Sequence, residues 1–263
     1  MKHFYVIGDS MTGAKLQNLK HEGETGGVGW AEYIAPLFNQ QKCQWHNKCC
    51  IGWAIRDFFN RGKCYPNKIY LEEFIFKKMN PNADNTLFAC FGTLEGAKID
   101  LKKTGWKPEL YFGPRGSIPG LGYESRTVFD DKYKEEYIVY TFGEYLRRLI
   151  TLCEQYNTDL YFLTPPARYT WKDGRHHRGG SLKYSDWMKQ IANEYNIKLL
   201  DNNTIFSNYL DSLGQEKCKE LFAIQKGIKP KKEHTTPKGA KKFAELVRDG
   251  LVREYPETFR DLL

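Results

Sequence analysis

Short, β-rich apolar runs alternate with amphipathic segments along this chain, and that alternation restricts its fold more than any other property. The runs fall at 3–7 (His-Phe-Tyr-Val-Ile), about 43–49, 86–91, 159–164 and 197–201. Between them lie helical patterns near 30–38, 67–78, 142–156 and 182–195. A last helix is the best specified. Thr236 suits its cap and Pro237 its first turn, while Ala240, Phe243, Ala244, Val247 and Leu251 form an apolar stripe. Strands too short to hold a domain alone, each followed by a helix, predict an α/β fold: a parallel sheet with helices on both faces.

Length and composition narrow the class. The 263 residues fit one large domain or at most two small ones, and 41% hydrophobic residues suffice for a core. No stretch approaches the roughly 18 consecutive apolar residues of a membrane helix. The first strand begins almost at Met1, with no secretory segment before it, so the chain as given reads as cytoplasmic. A trimmed leader would change that expectation. The net charge of +8 favours an anionic partner. However, the lysines are scattered apart from residues 226–232, and no nucleic-acid motif accompanies them. Seven cysteines, odd in number and without CxxC pairs, suit a reduced compartment and argue against structural metal. No P-loop or dinucleotide fingerprint occurs, and no cofactor is expected.

The candidate chemistry sits where the runs end. Gly8-Asp9-Ser10 closes the first strand at the sheet edge where open α/β folds bind ligands. Serine is a weak nucleophile until a base takes its proton, and His234, just before the last helix, is a candidate for that base. Gly52 follows the second run; lacking a Cβ, it lets a developing oxyanion approach its backbone N–H. A simple strand-to-helix turn is its plainer role. The third run leads into Phe91-Gly92-Thr93-Leu94-Glu95-Gly96. Residues 97–140, rich in glycine, proline and aromatics, break the alternation and read as a substrate-covering insertion or, equally, a packed surface loop. His176 and His177 lie in a basic loop that either grips a carboxylated sugar chain or is simply solvated. Trp53, Trp106 and Trp171 offer faces for sugars, though core packing is the commoner fate of tryptophan.

Taken together, these blocks resemble the SGNH (GDSL-like) hydrolases, and within them the rhamnogalacturonan acetylesterase-like carbohydrate esterases. The likeness rests on Gly8-Asp9-Ser10, the Asn47…Gly52…Arg56…Phe58 spacing, Phe91-Gly92, the Thr164-Pro165-Pro166-Ala167-Arg168 turn and His234-Thr235-Thr236-Pro237. It spans nearly the whole chain. The resemblance implies one domain over residues 1–263, a three-layer flavodoxin-like α/β/α sandwich with five parallel strands in the order 2-1-3-4-5. It implies Ser10 as nucleophile, His234 as general base and Gly52 with Ser10 as oxyanion donors. Asp9 and Glu95 would support the site, and Arg168 would meet substrate at its entrance. The implied partner is a small-molecule or oligosaccharide ester; the positive charge agrees with an acidic one.

Two positions depart from that family's pattern. Its third block reads Gly-x-Asn-Asp, with the Asn completing the oxyanion hole; here Leu94 and Glu95 take those places. Its last block reads Asp-x-x-His, whereas Lys231 stands three residues before His234. One missing oxyanion donor typically costs about 10²–10³ in turnover, and a missing triad carboxylate on the order of 10⁴. Glu233 and Glu95 are substitutes by proximity only, and a Ser-His dyad is another route. The expectation is therefore an esterase removing acetyl groups from a carbohydrate. The alternative is a hydrolase-like binding protein with weakened catalysis, and a cleft turned to another acyl or phosphoryl ester ranks third.

Overall fold

A computed structural model describes residues 1–13, 15–21, 24–59, 70–97, 99, 116–130, 135–178, 181–225 and 234–263. In chain order the strands are β1 (Lys2–Gly8), β2 (Lys15–His21), β3 (Glu24–Val28), β4 (Cys43–Asn47), β5 (Asp84–Cys90), β6 (Ser125–Asp130), β7 (Glu135–Tyr140), β8 (Asp159–Leu163), β9 (Trp171–Lys172), β10 (Arg175–His176), β11 (Lys198–Leu200) and β12 (Ile224–Gln225). The helices are α1 (Ile55–Phe59), α2 (Phe142–Gln155), α3 (Ser181–Glu194), α4 (Asn202–Leu213), α5 (Gln215–Cys218), α6 (Pro237–Glu254) and α7 (Pro256–Phe259).

Five strands form one sheet in the order β4-β1-β5-β8-β11, all parallel. Numbered among themselves, they run 2-1-3-4-5, the expected order. Alternation along each strand sorts side chains onto two faces. Tyr5, Ile7, Leu87, Ala89, Leu160 and Phe162 face one core, with Leu146 and Leu149 of α2 and Met188 and Ile191 of α3. Phe4, Val6, Phe88, Cys90, Tyr161 and Leu163 face the other, with Phe206 of α4 and Phe243, Val247 and Leu251 of α6. The result is a three-layer α/β/α sandwich. Capping follows the sequence: Thr236 accepts from the Gly239 N–H at 3.2 Å, Thr141 from Glu144 at 3.0 Å and Asp201 from Thr204 at 3.2 Å.

Register matters for the site. Val6 pairs with Asn47, Gly8 with Cys90, Cys90 with Leu163, and Leu163 with Leu200. The carboxyl ends of β1, β5, β8 and β11 are therefore level, β4 ends two residues earlier, and the loops after all five share one edge.

The structure also departs from expectation. Segment 30–38 is not one helix but two 3₁₀ turns, Trp30–Glu32 and Ala35–Leu37, and Pro36 sits at the start of the second. Three hairpins among the described residues were not foreseen, the shortest pairing β9 with β10 in the basic loop. β2 and β3 pair antiparallel and take up β12 at one edge; β6 and β7 pair within the stretch read as an insertion. Most of 97–115, with Trp106, lies outside the described residues, as do Cys64 and the lysine run at 226–232. The six described cysteines are free thiols.

Gly29 shows how tightly the first loop is packed. A Cβ there would lie 2.3 Å from the carbonyl carbon of Thr12 and 2.3 Å from the nitrogen of Gly13, both backbone atoms unable to swing aside. Gly29→Ala is expected to lower stability by about 3 kcal/mol or more, measured as the urea-denaturation midpoint. A change under about 0.5 kcal/mol, ordinary for a surface site, would contradict this packing.

Candidate active site

Ser10 stands in a turn that the backbone leaves little freedom to adjust. The Asp9 carboxylate accepts the N–H groups of Met11 and Thr12 at 2.9 and 3.3 Å, and the Asp9 carbonyl accepts those of Thr12 and Gly13 at 3.2 and 3.1 Å. At Gly8 a Cβ would come within 2.7 Å of the Cys90 carbonyl oxygen, so the neighbouring strand requires glycine there. Asn47 ties the end of β4 to this loop: its side-chain amide donates to the Gly13 carbonyl and, at 2.7 Å, to Glu32.

His234 reaches Ser10 from the far end of the chain. The Val28 N–H donates to the Thr235 carbonyl at 2.9 Å, and the Thr235 hydroxyl donates back to the Val28 carbonyl. The His234 carbonyl accepts the Ala223 N–H at 2.7 Å, and Thr236 donates through its hydroxyl to Glu220 at 2.8 Å. The unforeseen β2–β3 hairpin is thus one half of the clamp on the histidine, and α6 begins immediately after it. Within that clamp His234 Nε2 lies 2.9 Å from Ser10 Oγ. With the ring proton on Nδ1, the serine hydroxyl donates to Nε2, the arrangement a general base needs. Burial, with the Arg168 charge adding to it, pulls the imidazole down to about 4, so it is neutral at pH 7. Among the described residues no carboxylate hydrogen-bonds to His234; Lys231 and Glu233 lie outside them.

The remaining residues come from the neighbouring strand ends. Gly52 is buried in the turn after β4 with φ +70°, a conformation that favours glycine. Leu94 follows β5 and has no side-chain donor. Its N–H turns inward to Glu95 at 3.0 Å. Glu95 is 1% exposed and also accepts the N–H groups of Gly92 at 2.7 Å and Ile55 at 3.1 Å. It therefore fastens the loop after β5 to the start of α1, just beyond Gly52. Burial, with the Asp9 charge adding to it, pushes Glu95 up to about 7 against the pull of those N–H groups. Asp9 is likewise raised by burial, to about 6, although its N–H partners and Arg168 oppose the shift.

Arg168 leaves the turn after β8. Its Nη2 donates to the Thr93 carbonyl at 3.1 Å. The turn is braced from beneath. Thr164 donates to Asp201 at 2.9 Å, Asn203 donates to the Pro165 carbonyl at 3.1 Å, and His176 Nε2 donates to the Arg168 carbonyl at 2.6 Å. His176 is buried and its backbone N–H donates to Asp211 at 2.8 Å, so it is a brace for the Arg168 turn rather than part of an exposed grip. His177 remains exposed. Trp53 belongs to a core cluster and Trp171 packs edge-on against His176.

Sequence reasoning missed two supports. Arg56 is buried and donates to the Gly116 carbonyl at 3.0 Å, tying α1 to the segment that leads into β6. Asp57 accepts the Ala54 N–H at 2.8 Å and closes the turn after Gly52. A charged pair just inside a short helix was the available signal. Glu95 also forms part of the wall of a cavity of about 400 Å³, together with Gly96, Ile99, Ser117 and Arg126.

Comparison with solved structures places this frame. A Bacillus subtilis protein superposes with a TM-score of 0.60 at 18% identity, over 96% of this chain and 56% of that one. An acetylxylan esterase from Geobacillus stearothermophilus gives 0.54 at 17%, over 96% and 93%. A lipase/acylhydrolase from Enterococcus faecalis gives 0.52 at 14%, over 97% and 95%. These likenesses show that this chain shares its three-layer α/β/α fold with those esterases and lipases. Among curated proteins, 121 residues are 31% identical to the Bacillus subtilis (strain 168) protein named "Probable rhamnogalacturonan acetylesterase YesY". The match covers 46% of this chain and 54% of that relative. No family model matches. Against the block pattern that the sequence resembles, Glu95 keeps an acid at the last position, while Leu94 leaves the preceding position without a side-chain donor.

Because Glu95 is raised from 4.5 to about 7 in the folded protein, its protonation favours folding. That contribution is complete below the unfolded value and is lost as pH rises through about 7. Glu95→Gln replaces one acceptor by an amide N–H facing a backbone donor and should cost about 1–3 kcal/mol at pH 5. The deficit should narrow by pH 8.5, because only the wild type loses stability over that interval. Urea denaturation at both pH values measures this, and a deficit that widened with pH would contradict the assignment.

Proposed function

We propose that this protein is a serine carboxylic-ester hydrolase that removes acetyl groups from a carbohydrate. The observation that carries the reading is the 2.9 Å contact between Ser10 Oγ and a half-buried, neutral His234. Ser10 attacks the ester carbonyl while His234 Nε2 takes the hydroxyl proton. The carbonyl π pair moves to oxygen, where the Ser10 and Gly52 N–H groups receive it. Collapse breaks the ester C–O bond, and His234 returns its proton to the departing sugar oxygen. Water then repeats the sequence on the acyl-enzyme and releases acetate. Asp9 and Glu95 shape the two loops that carry these donors, and Arg168 meets the substrate at the site's edge.

The acetylesterase and acetylxylan esterase names of the relatives support acetyl as the acyl group. The net charge of +8 and a site cation support a uronate-bearing, pectic-type chain as substrate. We take residues 1–263 as one catalytic domain.

A second reading is a sugar-binding protein with weakened catalysis, and one observation favours it: among the described residues His234 has no carboxylate to orient it. The two readings separate on acetate release from acetylated oligosaccharides. Release at enzymatic rates supports the esterase, and tight binding without release supports the binder.

For the esterase, Ser10→Ala should lower p-nitrophenyl acetate turnover at least about 10³-fold. Equal rates in wild type and variant would remove Ser10 from the mechanism. A pH titration offers an independent check. A base with a value of about 4 stays unprotonated from pH 7 down to pH 5. The His234 ring, followed by NMR, should therefore titrate only at about pH 4, separately from Asp9 and Glu95, which titrate at about 6 and about 7, provided the enzyme stays folded. A ring titrating near the ordinary histidine value of about 6.5 would contradict the half-buried, neutral imidazole.

A further inference from the structure

Ser10 and His234 are carried by separate parts of the chain, and the proposed reaction needs them at one spacing. The turn that bears Ser10 is closed mainly on itself, with the Asp9 carboxylate and carbonyl accepting the N–H groups of Met11, Thr12 and Gly13. Bonds of that kind set the turn's shape, not its distance from the histidine. His234 is held through the tie between Thr235 and Val28, and the segment after Val28 runs through Gly29 and Ala31 to Glu32. The serine turn is bonded to that segment directly and through a bridge. The Ala31 N–H donates to the Thr12 carbonyl at 2.8 Å. The bridge is Asn47, at the end of the edge strand β4, whose side chain joins the Gly13 carbonyl to the Glu32 carboxylate.

The chemistry of this bridge calls for asparagine. Its Nδ2 donates to the Gly13 carbonyl and, at 2.7 Å, to Glu32, while its Oδ1 accepts the Cys49 N–H at 3.0 Å. The N–H groups of Lys48 and Cys50 turn inward to the Val6 and Gly8 carbonyls, at 2.8 and 2.9 Å, so the one between them faces off the sheet edge and takes this side-chain acceptor. A primary amide offers two donors and an acceptor at once, whereas an ionised carboxylate only accepts. The loop lies directly on it: a Cβ on Gly13 would come 2.5 Å from Asn47 Oδ1 and 2.9 Å from its Nδ2. Glu32 fixes which way the amide faces, because turning it over would set its oxygen against a carboxylate and a carbonyl together. The other Glu32 oxygen lies 3.4 Å from Lys15 Nζ.

We propose that Asn47, oriented by Glu32, is a positioning residue that sets the Ser10 turn against the segment holding His234; this deepens the esterase reading above and rests on it. Asn47 touches no reacting atom. It acts through Gly13 on one side and Glu32 on the other, and so holds the hydroxyl within reach of the imidazole while acetyl transfer proceeds. A misplacement of about 1 Å between reacting groups can cost on the order of 10²-fold in rate, which is the scale on which such a bridge matters.

The experiment measures p-nitrophenyl acetate turnover and urea denaturation on the same proteins. Asn47→Asp keeps the shape but sets a carboxylate against Glu32 and the Gly13 carbonyl. It is expected to lower kcat about 10–10²-fold with KM within a few-fold, under conditions where the protein is fully folded. Glu32→Gln alone should lower kcat a few-fold. Added to Asn47→Asp, the same change should raise kcat, because the new amide donates to the new carboxylate. A substitution that harms the wild type and helps the variant reports a coupled pair, a result that general loss of stability does not produce. Near wild-type kcat in folded Asn47→Asp, or a double variant no better than Asn47→Asp, would overturn the proposal. Should Asn47→Asp fail to fold, Glu32→Gln decides: lowered kcat at unchanged KM sustains the proposal, and unchanged kcat overturns it. Failure of the esterase reading is seen separately, as turnover that survives Ser10→Ala.

Discussion

The site depends first on the level, parallel pairing of four strand ends. Because Gly8 lies opposite Cys90, Cys90 opposite Leu163 and Leu163 opposite Leu200, their loops leave the sheet at one height. Shifting one strand by a single residue would turn its core side chains to the wrong face. The two hydrophobic cores thus fix the register, and the register brings Ser10, Gly52, Glu95 and Arg168 to one edge. Only His234 arrives otherwise. It is placed by the mutual Val28–Thr235 tie and by the start of α6.

Within that frame, polarity is arranged through backbone donors more than through ion pairs. Asp9 and Glu95 are both buried acids, and each is satisfied mainly by N–H groups from the turn it closes. Such groups hold shape well but leave the carboxyls titrating near neutral pH, since burial opposes their charge. The Arg168 charge acts on Asp9 and His234 together.

Much of the fold was legible because its strands are short, β-branched or aromatic, and separated by helical patterns. The five sheet strands appear where the apolar runs predicted them, and α2, α3 and α6 follow their stripes. The β2–β3 hairpin was invisible for a physical reason. Lys15–His21 has little apolar alternation, and its importance lies in a backbone tie to Thr235 that no local pattern records. α4 was missed as well, because Asn202-Asn203-Thr204 reads as a turn unless one knows that Asp201 caps it. Of the site, Ser10, His234 and Gly52 were named from motif order, while the bracing roles of His176 and Arg56 needed long-range contacts to see. Glu95 was named as a support, but its three N–H partners come from segments 40 residues apart in the chain.

The central claim, that Ser10 is a nucleophile activated by His234, is tested most directly by covalent trapping. The protein would be incubated with a serine-directed organophosphonate ester and the adduct located by peptide mass spectrometry. The account predicts a single adduct on Ser10 that forms far more slowly in His234→Ala. Labelling elsewhere, or labelling of Ser10 at the same rate without the histidine, would contradict it.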